Sequence, residues 1–107
     1  MLDFTYKRIS QEEAKKIMDS ESKYIILDVR REEEFREGHI KNAINIPNED
    51  ISPYELLDLD IEMNTPILVY CRSGHRSLTA SLKLSLAGYK DIYEFGGILT
   101  WPYEIVQ

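Results

Sequence analysis

The run Tyr24-Ile25-Ile26-Leu27-Asp28-Val29 is apolar without alternation and is broken only near its end by an aspartate. A strand half exposed to water alternates apolar and polar side chains, so an unbroken run points to a parallel strand covered on both faces of its sheet. Parallel strands need crossover connections, and helical patterns do stand between the strand candidates. Ser10-Gln11-Glu12-Glu13 reads as a capping box opening a helix to about Asp19, with Ala14, Ile17 and Met18 on one face. Glu32 to Glu37 reads as a short helix anchored by Phe35 and stopped at Gly38.

Further strands are expected at Ala43-Ile44-Asn45-Ile46-Pro47, Ile67-Leu68-Val69-Tyr70 and Ile92-Tyr93-Glu94-Phe95. Ser52-Pro53-Tyr54-Glu55 is a second capping box, opening a brief helix through Leu56 and Leu57. Leu78 to Ala87 reads as a helix closed by Gly88, with apolar residues on two sides, which implies that it is mostly buried. The alternation predicts an α/β fold: one domain over residues 1–107, with a central, mostly parallel sheet and helices on both faces.

The 107 residues are 43% hydrophobic and 30% charged, with a net charge of −6, which argues against nucleic acid and anionic membrane surfaces as partners. No apolar run approaches the roughly 20 residues of a membrane span, and Met1-Leu2-Asp3-Phe4 lacks the character of a signal peptide. A single cysteine cannot form an internal disulfide, and the sequence has no metal-ligand spacing or cofactor motif. A reducing cytoplasm is the expected location for such a thiol.

That cysteine is the candidate reactive centre. Cys71-Arg72-Ser73-Gly74-His75-Arg76-Ser77 lies between the Ile67 strand and the following helix. A loop entering a helix aims backbone N–H groups and the positive end of the helix dipole into one small cup. A thiol in such a cup, flanked by Arg72 and Arg76, is expected to ionise readily and to act as a nucleophile. The competing reading is an inert buried thiol. Gly74 supplies the freedom that a tight loop needs. Ser77 either serves the site or caps the helix, and His75 either assists chemistry or stands idle in solvent. Asp28 and Cys71 both fall at strand carboxyl ends, where open α/β sheets place their sites, so the two could face one crevice. Asp28 is otherwise a plain turn residue, and a functional role would need a partner such as Arg30 or Arg72. His39, Gly96-Gly97 and Trp101 are read as structural, and Glu32-Glu33-Glu34 as a solvated helix face.

The order of these segments resembles the single-domain rhodaneses. Leu27-Asp28-Val29-Arg30, Glu34 to Ile40 and Ala43 to Pro47 resemble the first half of that domain. Val69 to Ser77 resembles its active-site loop, and Gly88-Tyr89 with Gly96 to Trp101 resembles its C-terminal signature. The resemblance implies a sulfurtransferase in which Cys71 becomes a persulfide, taking sulfane sulfur from thiosulfate or another persulfide and passing it to cyanide or a thiol. It implies that Arg72, Ser73, Gly74, His75 and Arg76 form the amide cradle, and that Asp28 and Arg30 orient the loop or shape the pocket. The expected partners are a small sulfur donor and a thiol acceptor, which could be a cysteine of another protein because this chain has no second one. Two other functions compete. One is a non-catalytic or persulfide-sensing rhodanese-like module. The other is a cysteine-dependent phosphatase, whose signature places five residues between cysteine and arginine where this loop has four.

Overall fold

A computed structural model describes residues 5–52, 56 and 59–107. Most of the second capping box, and Leu57 behind it, lie outside the described residues. The elements are β1 (Tyr6–Arg8), α1 (Gln11–Ser20), β2 (Ile25–Asp28), α2 (Glu32–Glu37), β3 (His39–Ile40), β4 (Ile44–Asn45), β5 (Ile67–Cys71), α3 (His75–Leu86), β6 (Ile92–Gly97) and β7 (Ile105–Val106). Short 3-10 turns occupy Asn48–Asp50 and Ile98–Thr100.

Five strands form one sheet in the order β1-β6-β5-β2-β4, and every pairing in it is parallel. The central strand β5 is buried along its whole length, as its unalternating sequence requires. On one face, α3 covers Leu27, Val69, Cys71 and Ile92 with Ala80 and Leu84. On the other, α1 brings Ala14, Ile17 and Met18 against Ile26, Leu68, Tyr70, Phe95 and Trp101. Helices on both faces of a parallel sheet are therefore present. α1 starts where the sequence places it: the Ser10 hydroxyl accepts from the Glu13 N–H at 3.0 Å, and the Glu13 carboxylate accepts from the Ser10 N–H at 3.2 Å.

Several expectations are corrected. The helix after the cysteine begins at His75, three residues before Leu78, because Gly74 turns into the left-handed region (φ 111°) and starts it early. Ser77 is consequently inside the helix and does not cap it. α3 buries one face, formed by Ser77, Ala80, Ser81 and Leu84, whereas Leu86 is 59% exposed. Cys71 is the last residue of β5 and not the first of a loop. Strands β1, β3 and β7 carry no apolar run to announce them. The pair β3–β7 forms a separate antiparallel ribbon, with His39 opposite Val106 and Ile40 opposite Ile105.

Candidate active site

The register between β5 and β6 breaks at their carboxyl ends. Val69 lies opposite Glu94, but Cys71 lies opposite Gly97, so β6 carries one extra residue. Gly96 takes a φ of 90° at this bulge. The bulge brings Gly97 under the loop, where a Cβ on residue 97 would stand 1.9 Å from the Arg72 carbonyl oxygen and 2.5 Å from the Ser73 nitrogen. Only glycine lets the two backbones approach so closely.

Cys71 is buried at the base of this arrangement. The Gly74 N–H donates to Sγ at 3.0 Å, and the thiol donates to the Ser77 hydroxyl at 3.4 Å. Burial pushes the thiol up. Hydrogen bonding from Ser77, by hydroxyl and amide, and from the amides of Gly74 and Ser73 outweighs it, so the thiol lies below its ordinary value. Backbone amides of the expected cup, joined by the Ser77 hydroxyl when it turns toward a thiolate, thus supply this stabilisation. Arg72, Ser73 and His75 present exposed side chains around the cup. Arg76 forms a double hydrogen bond with Glu34, Nη1–Oε1 at 2.6 Å and Nη2–Oε2 at 3.0 Å. Its charge still feels Cys71 through space, but its guanidinium is engaged. The Arg76 guanidinium in turn holds the Glu34 carboxyl down to about 2. Arg31, Glu34, Glu49 and Arg76 line an open cleft of about 460 Å³ beside the loop.

Asp28 does not share this crevice. It pairs in register with Tyr70, the residue before Cys71, so its side chain points to the opposite face of the sheet. There it is fully buried and accepts from the Tyr70 hydroxyl at 2.6 Å, from the Arg30 N–H at 3.0 Å and from Arg30 Nη2 at 2.6 Å. Burial and the neighbouring Asp28 carboxylate push the Tyr70 phenol upward. Arg30 also donates to the Gly38 carbonyl at 2.7 Å, and the Ile40 N–H donates to the Tyr70 hydroxyl at 3.0 Å. Arg30 is therefore the partner of Asp28, and together with Tyr70 they tie the turns after β2 and α2 to the strand that delivers Cys71. His39 stacks on Phe35 at 3.7 Å, as a structural residue would.

Three residues at or near the site escaped the sequence reading. Glu94, 1% exposed, accepts from the Ser77 hydroxyl at 2.5 Å, from the Gly96 N–H at 2.9 Å and from Arg8 Nε at 2.9 Å. Glu34 engages Arg76, and Tyr70 engages Asp28. A glutamate between apolar residues in a buried strand was a visible signal for the first.

The sequence model of the rhodanese-like domain family matches residues 10–102. The chain belongs to the rhodanese-like domain family. A rhodanese-related protein from Thermoplasma volcanium has the same fold, with a TM-score of 0.77 and 31% identity over 94% of this chain and 98% of that one. The rhodanese-like domain also resembles thiosulfate sulfurtransferase 18 of Arabidopsis thaliana, with 38% identity over 83% of this chain and 73% of that protein. It is 38% identical to the tRNA uridine(34) hydroxylase of Leptospira interrogans over 94% of this chain, but spans only 28% of that enzyme's length.

Proposed function

We propose that this rhodanese-like domain is a sulfurtransferase that works through a persulfide on Cys71. The observation that carries the reading is the Cys71 sulfur itself, lowered in pKa and held at 3.0 Å by the Gly74 amide at the start of α3. The Cys71 thiolate attacks the sulfane sulfur of a donor. An Sγ–S bond forms, the donor's bond to that sulfur breaks, and the electron pair leaves on sulfite or on the donor thiolate. The outer sulfur then carries the negative charge, in the cup where the loop amides and the α3 dipole converge. An acceptor thiolate or cyanide attacks that outer sulfur, and the electron pair of the Sγ–S bond returns to Cys71. With no second cysteine in the chain to resolve it, the persulfide must discharge to an outside acceptor: a small thiol, cyanide or a partner protein's cysteine. No metal or organic cofactor enters this scheme, and we place it in one domain of 107 residues in the cytoplasm.

The Glu34–Arg76 pair favours one donor over another. A guanidinium already bound by a carboxylate offers little to dianionic thiosulfate, so a persulfide of another thiol is the preferred donor. Mass spectrometry after incubation with each donor tests both points. A gain of one sulfur on Cys71 is expected, more completely from a thiol persulfide than from thiosulfate, and none on Cys71→Ser. Transfer by the Cys71→Ser protein would refute the mechanism. An unmodified wild-type Cys71 with either donor would favour the non-catalytic module. Hydrolysis of an aryl phosphate by the wild type would favour the phosphatase.

A further inference from the structure

The Ser77 hydroxyl has one hydrogen and three neighbours that can accept it. Glu94 Oε2 lies 2.5 Å away, whereas Cys71 Sγ and the Gly96 carbonyl oxygen each lie 3.4 Å away. The shortest bond, to a buried carboxylate, takes the hydrogen. Ser77 then offers the sulfur only a lone pair, which suits a thiol S–H and opposes a thiolate. When Cys71 gives its proton to solvent, the hydroxyl must turn from Glu94 to the sulfur. Glu94 is then left with Arg8 Nε–H and the Gly96 N–H. A persulfide makes no such demand, because its inner sulfur is uncharged and its charge sits on the outer atom, so Ser77 can stay with Glu94.

We infer that Glu94 is a positioning residue that, through the single hydrogen of Ser77, holds Cys71 back from the thiolate and so favours the sulfur-loaded protein over the emptied one. The consequence for loading rests on the sulfurtransferase reading; the coupling between Glu94 and Cys71 does not. The groups facing the pair are Arg8 from β1, Ser77 and Arg76 from α3, the Gly96 amide from β6 and the uncharged Gln11 of α1, which donates to the Gly97 carbonyl at 2.9 Å. Arg8 is the ion partner of Glu94, and its side chain is 59% exposed. Like charges near a thiol raise its pKa and opposite charges lower it, so Glu94 and Arg8 should act in opposite directions.

The test is the rate of Cys71 alkylation by iodoacetamide against pH in sulfur-free protein. Glu94→Gln should move the midpoint down by about one unit, so that alkylation below the wild-type midpoint becomes about tenfold faster. In a Ser77→Ala background the same substitution should shift the midpoint by less than half as much, because its route to the sulfur is gone. Arg8→Ala changes an exposed side chain and keeps the buried carboxylate; it should move the midpoint upward. Persulfide-loaded Glu94→Gln should surrender its sulfur to an acceptor thiol faster than wild type. A midpoint for Glu94→Gln at or above that of wild type would overturn the inference. So would a full shift in the Ser77→Ala background, or no upward move with Arg8→Ala. Because alkylation involves no sulfur transfer, a shifted midpoint in a protein that no donor can load would defeat the sulfurtransferase reading and leave the coupling standing.

Discussion

Replacing Gly97 with alanine is the most direct test of how the loop is held. Gly97 has an extended backbone, φ −148°, so alanine meets no conformational penalty there; the obstacle is space. The added Cβ would stand 1.9 Å from the Arg72 oxygen, 2.2 Å from its carbonyl carbon and 2.5 Å from the Ser73 nitrogen. All three are backbone atoms, so no side chain can swing aside. Ordinary contact requires the loop or the strand to retreat by roughly 1.5 Å. Overpacking of this kind costs about 1–3 kcal/mol, which in a domain of this size lowers Tm by roughly 4–20 °C. The functional loss should be larger than the stability loss. Displacement by about 1 Å can cost on the order of 100-fold in rate, and the bond at risk is the 3.0 Å contact between the Gly74 amide and Sγ. Thermal unfolding by circular dichroism and the pH profile of Cys71 alkylation report the two losses separately. The variant should melt lower, and its thiol should move up toward the free-cysteine value of about 8.5. Gly96→Ala is the control. Its φ of 90° makes alanine strained, but its Cβ would meet only the Gln11 side chain at 3.8 Å, so it should lose stability with little change at Cys71. A Gly97→Ala protein with wild-type Tm and wild-type alkylation would refute the claim that backbone contact from β6 sets the loop.

Tyr70→Phe removes the hydroxyl that donates to Asp28 and accepts from the Ile40 N–H, leaving buried groups unpaired at a cost of about 1–3 kcal/mol; denaturant unfolding should show this loss while Cys71 reactivity, on the other face of the sheet, is unchanged. The Glu34–Arg76 pair stabilises the fold only where Glu34 is ionised. Its carboxyl is depressed from 4.5 to about 2, so the contribution is full above about 4.5 and lost as pH falls through about 2. Both side chains are partly exposed, so it is worth about 1 kcal/mol after screening, and the Tm difference between wild type and Glu34→Gln should be constant at neutral pH and vanish in strong acid.

The parts of the fold legible in the sequence are those that buried surface dictates. The runs at Ile25 and Ile67 lack alternation because helices cover both sides of their sheet, and that pattern alone implies parallel pairing. Cys71 was legible because a strand, a glycine and a helix frame it locally. What escaped depends on contacts between distant segments. Glu34 looked like a solvated helix residue because its partner Arg76 lies 42 positions further on. Asp28 shared a strand end with Cys71, but the face it uses is set by register: pairing with Tyr70 puts it one residue out of phase with the cysteine. Glu94 stands between Tyr93 and Phe95 in an apolar strand pattern, and its ion partner, Arg8, lies 86 positions away in β1.

These misses share a cause that bears on the chemistry. The sequence sets two arginines beside the amide cup and helix dipole that frame the thiol, which suggests that their charges join the amides in activating it. In the fold, Arg76 belongs first to Glu34, Arg72 lies in solvent, and the cation nearest the buried carboxylate is Arg8. What contacts the sulfur is a neutral hydroxyl and the Gly74 amide, with the amides of Ser73 and Ser77 adding to it. The amide dipoles are fixed by the backbone and lose little to salt, whereas exposed charges are screened. On the proposed persulfide mechanism, they also suit a group whose charge would move outward by one atom on loading: an arginine locked onto Sγ would favour the empty thiolate, while a ring of amides would serve the thiolate and the outer sulfur in turn. On that mechanism the Glu94–Arg8 pair, set one layer back, would bias which of the two states prevails without touching the sulfur.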